Sequence, residues 1–528
     1  VPDPVSREVP AVALPSEIDE LVAQFAAAAR SAIDAGCDGV EINIGQMSLL
    51  RQFLSGLTNA RTDGFGPDSP RGRAEVPLRV LEAVREAIGG GPLLTIRLCV
   101  DELAPWAGIT PEHAPALVEQ FGPLVDWITP VRGSIFSRGA TRPDGHVPPG
   151  FLRDQVRELR NGVASPFAFV WQGSNVDVEA VSDGLTDGVA DAAEMTRALI
   201  ADPDLVAKLH AGRPHDIRPC TLCNQRCQVL DARNPMVSCS VEPSAGHELE
   251  DPAWESPGSG ARRSILIVGG GVAGLEAARI GNLRGHSVRV VEASNELGGA
   301  ARTMARSPGF DRTNTFLKWL VAQVEGSDAS IELGRELAAE ELESLDDPAV
   351  LLAIGGVPGD SIPGPLPTFH ASEIIADQNL LEAGGIAHGA NIVIWDALGG
   401  PTGIAAAELL ADRYTVHLVH PDPVAGSQLA SSGDLAPAST RMLQAGVHLR
   451  ARSVVSSTTT EGVCGAERIT HLPFELPAAA LIVATARKPQ YMLKVPERFQ
   501  RIGDALAPRT IADAILDARR AILSIEGD

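Results

Sequence analysis

The stretch SILIVGGGVAGLEAARIGNLRGHSVRVVEASNELGGAAR (264–302) decides the fold. An apolar strand candidate, ILIV, runs into Gly269, Gly271 and Gly274 with the spacing G-x-G-x-x-G, and a helical segment, LEAARI, follows. The first glycine permits a tight turn, the second lets a pyrophosphate approach the backbone, and the third lets helix pack on strand. The helix N-terminus then offers its N–H groups and positive dipole end to the phosphates. Glu292 closes the next apolar run, VRVVE, at the distance where a carboxylate accepts ribose hydroxyls. Leu297, Gly298, Gly299 and Arg302 complete the pattern. A lone G-x-G-x-x-G can be an ordinary βα turn. Strand, helix, acid and the second glycine pair together specify a dinucleotide-binding βαβ unit.

Upstream, Cys220, Cys223, Cys227 and Cys239 stand in CTLCNQRCQVLDARNPMVSCSVEP (220–243), spaced C-x2-C-x3-C-x11-C. Four thiolates from one short, loop-like stretch can close a tetrahedral sulfur shell around zinc or an iron–sulfur cluster. Zinc ribbons present two separate C-x2-C knuckles, whereas three close cysteines plus a distant one suit a cubane cluster better. Spacing therefore favours iron–sulfur, with zinc as the alternative. A disulfide framework is disfavoured, because nothing else in the chain looks secreted. Cys37, Cys99 and Cys464 stand singly in apolar surroundings and read as buried structural thiols.

The 528 residues predict three or four domains, and a hydrophobic content of 44% supports well-filled α/β cores. A net charge of −23 argues against nucleic acid or an anionic membrane as partner. No apolar run is long enough for a membrane span, and VPDPVSREVPAVALP (1–15) lacks the basic start and apolar core of a signal peptide. The expectation is a protein of the reducing cytoplasm.

Ahead of the cysteines, strand candidates GVEINIG (39–45), LLTIRLCV (93–100), VDWITPV (125–131), FAFVWQG (167–173) and VADAAEM (189–195) alternate with amphipathic segments such as PLRVLEAVREAI. This alternation predicts a parallel sheet, doubly wound or barrel, and a (β/α)8 barrel would need eight strands. EDPAWESPGSGARR (250–263) reads as a linker. Behind the first nucleotide motif, NIVIWDALGGPTGIAAAELLADRYTVHLVHPDP (391–423) carries Gly399, Gly400 and Gly403, but Asp396 takes the place of the first glycine. No carboxylate or arginine ends the strand that follows. This third region reads as a nicotinamide-nucleotide site or as a degenerate nucleotide fold. VLLAIGG (350–356), LIVATARKP (481–489) and RIGDALAPRTIADAI (501–515), with Gly503 and Asp504, are typical of FAD-binding two-dinucleotide flavoproteins returning to their FAD domain.

This order of parts resembles the 2,4-dienoyl-CoA reductase and trimethylamine dehydrogenase group of old-yellow-enzyme-like iron–sulfur flavoproteins. The most specific phrases are LLRQFLSGLTNARTDGFG (49–66), EMTRALIADPDLVAKL (194–209) and the cysteine run. INIGQMSLLRQFLSGLTN (42–59) and VRGSIFSRGATRPDGHVPPGF (131–151) are similar to a branch associated with the mycofactocin system. The resemblance implies a partial TIM-type (β/α) barrel over 1–215 for FMN and substrate, and an iron–sulfur segment with linker over 216–260. Two nested Rossmann-like, three-layer domains follow: an FAD domain (261–375 and 471–528) around an NAD(P)-like domain (376–470). It implies FMN, FAD and a 4Fe–4S cluster, with NAD(P)H as a further cofactor. Arg97 then matches the arginine facing the FMN ring, Gly173 the phosphate-loop glycine, and Thr196 and Arg197 the last-strand phosphate grip.

Departures from the group are equally informative. Ser48 stands where its reductases carry a proton-donating tyrosine, Asn43 and Gln46 replace paired substrate-holding histidines, and Ile135 replaces a further histidine. Serine is a poor general acid, which argues against enone reduction with a tyrosine-type donor. The catalytic residue is therefore unassigned, with Ser48, Asn43 and Gln46 lining the expected substrate position. The first three barrel units have no counterpart. The expectation is a chain that begins internally, and the alternative is a homo-oligomer or partner chain completing the barrel. The implied function is a flavin-dependent oxidoreductase passing electrons between a nicotinamide nucleotide or redox carrier, FAD, 4Fe–4S, FMN and a small organic substrate. Its alternatives are an amine or N-methyl dehydrogenase with an external acceptor, or a non-catalytic electron-transfer subunit.

Overall fold

The computed structural model describes residues 8–66, 70–228, 236–258, 260–344, 349–490 and 499–527. The opening residues 1–7 and the run 229–235 between the third and fourth cysteines lie outside the described residues. The chain divides into two compact units, Val1–Pro143 with Val147–Thr196, and Asp144–His146 with Arg197–Asp528.

The first unit holds β1 (Gly39–Ile44), β2 (Leu93–Asp101), β3 (Trp127–Arg132), β4 (Val170–Trp171) and β5 (Ala192–Ala193). β1, β2 and β3 pair in parallel, as do β4 and β5, and a parallel bridge between Ile128 and Phe169 joins the two sets. Strands in sequential order with helices between them form an arc of a (β/α) barrel. A doubly wound sheet would reverse its order at a switch point. All five expected strands are present, though the last two shrink to two residues each. The β2 run from Leu94 to Val100 is almost wholly buried, as a strand covered on both faces requires. A buried ion pair braces this unit: Glu102 accepts from Arg51, from Ser55 Oγ at 2.5 Å and from Ile109 N at 2.8 Å. It locks the loop after β2 against the helix Leu49–Leu54.

In the second unit the chain continues with β6 (Ser264–Val268), β7 (Ser287–Val291), β8 (Ser330–Glu332), β9 (Ala349–Leu352) and β10 (Gly356–Val357). Next come β11 (Thr368–His370), β12 (Asn391–Asp396), β13 (Thr415–Val419) and β14 (His448–Arg450). β15 (Ser453–Thr458), β16 (Gly462–Glu467), β17 (Pro473–Pro477), β18 (Ala480–Ala484), β19 (Lys488–Pro489) and β20 (Gln500–Arg501) complete it. One parallel sheet has the order β20-β9-β6-β7-β8, and a second has β11-β18-β12-β13-β14. Strands β15 to β17 form an antiparallel ribbon, and β10 pairs antiparallel with β19.

The second sheet corrects the expected boundaries at 376 and 471. β11 and β18 fall outside 376–470, yet both belong to that sheet. LIVA, expected to return to the first nucleotide module, pairs instead with β12 and β11. The physical reason is burial: every residue of β18 is buried, and β12, itself buried from Ile392 onward, leaves the side away from β13 to be filled by another apolar strand. Among the described residues no helix is long and apolar enough to cross a membrane.

A network of charges, buried except at Glu255, ties the second unit together. Arg218 bonds Glu242 and, at 2.8 Å, Glu255, while Arg279 bonds Glu255 at 2.9 Å and Glu276 at 2.8 Å. Arg519 closes the circuit to Glu276 at 2.8 Å and to Glu242 at 2.6 Å. Arg218 and Arg279 also lie 5.1 and 5.5 Å from the Trp319 ring centroid. Burial raises the pKa of Glu276, but the flanking arginines outweigh it and hold the carboxyl down at about 2. Removing one member strands its partners as uncompensated buried charges, so Arg519→Leu should destabilise the second unit by about 3–5 kcal/mol. Chemical denaturation followed by tryptophan fluorescence reads this, and an unchanged midpoint would contradict the bracing role.

Candidate functional site

The first glycine turn has the geometry of a phosphate cradle. Gly269 sits at φ +108°, where a Cβ would lie 2.4 Å from Ala353 O, and a Cβ on Gly274 would lie 1.9 Å from Gly269 O. A Cβ on Gly271 would meet nothing within 4 Å, so the second glycine faces open space at the start of the helix Val272–Leu283. Glu292 follows β7 and accepts from Gly270 N at 2.5 Å and Ser294 N at 2.7 Å. Gly298 bridges to Gly271, and Arg302 pairs with Glu296 while donating to Leu297 O at 3.3 Å. Gly503, at φ +60°, packs so closely that a Cβ would stand 2.7 Å from Ala273 Cβ. Asp504 accepts from Arg487 at 2.5 Å and from Arg509 N at 3.3 Å. The predicted residues 269–274, 292, 298, 299 and 503 thus converge on one helix N-terminus.

Cys220, Cys223, Cys227 and Cys239 line a single pocket with Arg197, Ile200 and Ser240. Leu222 N donates to Cys220 Sγ at 3.4 Å, and Cys223 Sγ donates to Ser240 Oγ at 3.2 Å. Leu222 and Asn224 both adopt the left-handed conformation, φ 54° and 53°, rare for residues with a side chain and characteristic of strained functional loops. Burial pushes the thiols of Cys220 and Cys239 up to about 12. As thiolates they therefore require a compensating cation. Four thiols from one loop, all lining the same pocket, form a donor set that suits a cluster whose cysteines each bind a different iron. Elsewhere in this unit, Asp144, His146 and Asp434 bring three ligand atoms within 4.8 Å of one another. Of the other thiols, Cys99 is buried and donates to Gly133 O at 3.3 Å, whereas Cys37, expected to be buried, is exposed in the turn before β1.

In the barrel unit Asn43, Gln46, Ser48, Ile135, Gly173 and Thr196 lie at or beyond the C-terminal ends of their strands, the edge where (β/α) barrels build their sites, and Arg97 pairs with Asn43 in mid-β2. Arg97 on β2 pairs with Glu41 Oε1 at 3.1 Å and Glu194 Oε2 at 2.9 Å. Burial lowers its pKa, but Glu194 and Glu41 outweigh that and hold it above the ordinary arginine value. Thr196 Oγ1 donates to Glu194 Oε1 at 2.8 Å, so Glu194 joins Arg97 to Thr196. Sequence reading missed this carboxylate, although its signal, an acid two residues before the grip, stood in AAEMTR. Arg197 belongs to the other unit, where it donates to Asn224 Oδ1 at 2.7 Å and lines the cysteine pocket. Gly173, at φ +144°, would set a Cβ 2.9 Å from Leu152 N. Asn43 Oδ1 accepts from Gly45 N at 2.8 Å. Ser48 donates to Gly45 O at 3.1 Å and caps the helix Leu49–Leu54 by accepting from Arg51 N at 3.2 Å. Gln46, after β1, and Ile135, after β3, are half-buried.

The second glycine turn is different. Asp396 is fully buried, and its Oδ1 accepts from Leu398 N at 3.1 Å and Gly399 N at 2.9 Å. Burial pushes its carboxyl up to about 6 against those two donors, with neighbouring Asp422 adding to the rise. A Cβ on Gly403 would lie 2.6 Å from Asp396 Cγ, so this glycine makes room for the carboxylate.

Residues 11–216 match the NADH:flavin oxidoreductase / NADH oxidase family, and residues 267–322 match an NAD(P)-binding Rossmann-like domain. A metal reductase of Desulforamulus reducens is 30% identical over 98% of this chain and 81% of its own length. The N,N-dimethylglycine/sarcosine dehydrogenase of Chromohalobacter salexigens is 29% identical over 81% of this chain, which spans 62% of that enzyme. In fold, the chain superposes on the histamine dehydrogenase of Rhizobium sp. 4-9 with a TM-score of 0.87 at 23% identity, covering 97% of this chain and 77% of that one.

The buried Asp396 has a measurable consequence. Its folded pKa of about 6 exceeds the ordinary 3.8, so the folded chain binds the extra proton. Stability from this group is lost as pH rises through that window. The isosteric Asp396→Asn should then stabilise the chain by about 2–3 kcal/mol at pH 8 and hardly at all near pH 4. Denaturation at the two pH values checks this; an equal gain at both would contradict it.

Proposed function

The chain belongs to the NADH:flavin oxidoreductase / NADH oxidase family, and from that premise we propose a flavin-dependent iron–sulfur oxidoreductase. In this reading electrons pass between a nicotinamide nucleotide or redox carrier, FAD, a 4Fe–4S cluster, FMN and a small organic substrate. The observation that carries it is the pocket lined by all four cysteines, whose C-x2-C-x3-C-x11-C spacing suits a cubane cluster better than paired zinc knuckles. A cluster bound there supplies one-electron transfer, and the flavins couple that to two-electron chemistry.

The chain's own residues divide the work. Cys220, Cys223, Cys227 and Cys239 are the ligands, with the Leu222 N–H directed at Cys220 Sγ. Gly269, Gly271, Gly274, Gly298 and Gly299 leave the first turn clear for a pyrophosphate, and Glu292 accepts ribose hydroxyls. Arg302, Gly503 and Asp504 border the same site. At the barrel edge Arg97 faces the FMN ring, while Gly173 and Thr196 grip its phosphate; Arg197 borders the cysteine pocket instead. Asn43 and Gln46 hold substrate. We assign the chain to the reducing cytoplasm, where thiolate ligands stay reduced.

A second reading, an amine or N-methyl dehydrogenase feeding an external acceptor, draws on one observation. The Ser48 hydroxyl, standing where a proton-donating tyrosine was expected, is spent on a helix cap. Nothing at that position then protonates a substrate carbanion, whereas amine oxidation needs no such acid.

Anaerobic titration separates the readings. A nicotinamide nucleotide or a reduced carrier should bleach the flavin absorbance under the first; bleaching by secondary or tertiary amines alone would favour the second. Cys220→Ser should lose iron and sulfide while retaining FAD, measured as iron, sulfide and flavin per chain. Full iron content in that variant would sink the ligand assignment.

A further inference from the structure

The two glycine turns of the second unit invite direct comparison. In the first, the residue before the helix, Gly271, faces open space. In the second, the corresponding residue is Gly400, which precedes the helix Pro401–Leu410. A Cβ on Gly400 would stand 3.5 Å from Gln428 Oε1, and one on Gly399 would stand 2.5 Å from Ser427 Oγ and 3.0 Å from Asp422 Oδ2. The segment 427–428 is tied across the turn: Gln428 N donates to Gly399 O and Gln428 Nε2 to Leu398 O, both at 2.9 Å. Ser427 is held in turn by Asp422.

Three of the turn's backbone positions offer a pyrophosphate no free donor. Leu398 N and Gly399 N already point at Asp396 Oδ1. Pro401, the first helical residue, has no N–H to offer. Asp396 Oδ2 is buried with no hydrogen-bond partner among the described residues, and Gly403, the third glycine of the motif, accommodates the carboxylate. A dinucleotide pyrophosphate brings two negative charges. Here it would meet Asp396 and Asp422 with the Leu398 and Gly399 N–H groups already taken and none at Pro401.

We propose that Asp396, by taking the Leu398 and Gly399 N–H groups and placing a buried negative charge beneath the second nucleotide turn, excludes NADH and NADPH from that turn. Asp396 is thus a specificity-determining residue. Of the two electron partners left open above, nicotinamide nucleotide and carrier, the first is denied this turn. The inference rests on the flavoprotein reading for its context, but its geometry is that of the turn alone.

Equilibrium dialysis of the FAD-containing protein against NADH and NADPH at pH 8 tests it, with flavin and iron measured in the same samples. Wild type should show no saturable binding across the millimolar range. Asp396→Asn, which keeps the shape and removes the charge, should bind at least about tenfold more tightly than wild type, and Asp396→Gly further still. Saturable binding by wild type that neither substitution strengthens would overturn the proposal. So would the failure of both variants to gain binding while retaining FAD. Wild-type samples lacking FAD or iron would instead count against the flavoprotein reading, leaving the comparison between wild type and variants interpretable.

Discussion

The buried charge network centred on Glu276 is the constraint on which the second unit depends. Arg218 stands two residues before Cys220 and Glu242 three after Cys239, so both flanks of the cysteine loop are anchored in it. Glu276 and Arg279 lie on the helix of the first glycine turn, and Arg519 on the C-terminal helix Ile511–Gly527. Ion pairs in such dry surroundings add little net stability relative to apolar packing, because desolvation consumes most of the attraction. What they do enforce is register: any misplacement leaves a full charge unpaired. The cysteine segment, poor in regular structure, is thereby held against the nucleotide module by directional contacts where a hydrophobic interface would permit sliding.

Some of this was legible in the chain and some was not. G-x-G-x-x-G, Glu292 and the cysteine spacing could be read because each is local: its meaning lies in residues a few positions apart. The five parallel strands were legible for the same reason, as apolar runs separated by helical periodicity. Partnerships across long separations were not. Arg519 and Glu242 are far apart in sequence, and nothing in the neighbourhood of either signals the other. The membership of LIVA in the nested sheet also escaped, because an apolar run records that a strand is buried without recording which neighbour buries it. Glu194 was missed for a subtler reason. It stands beside a recognisable motif, and only the position of Arg97 across the strands shows what the carboxylate faces.

Asp396 illustrates how one substitution in a motif can carry neighbours with it. A carboxylate at the end of β12 requires donors, supplied by Leu398 and Gly399, and requires space, supplied by Gly403. Glycines that would serve a ligand in one turn serve an internal side chain in the other. The two turns share a spacing and differ in what their backbone N–H groups see.

The order of strands in the first nucleotide sheet has a consequence for how the protein is made. β9 pairs with β20 across Leu351 and Gln500, and between them lies the whole nested module. The C-terminal helix, with Arg519, packs on the helix of the first glycine turn. During vectorial synthesis the nested module can fold as soon as β18 emerges, but the module that began earlier stays unfinished until β20 and the helix Ile511–Gly527 have emerged. Loop-closure entropy is deferred until a folded insert has already brought the distant ends near each other, which shortens the effective loop. The last helix therefore acts as a latch, and a nascent chain halted before it would carry a complete inner domain inside an open outer one.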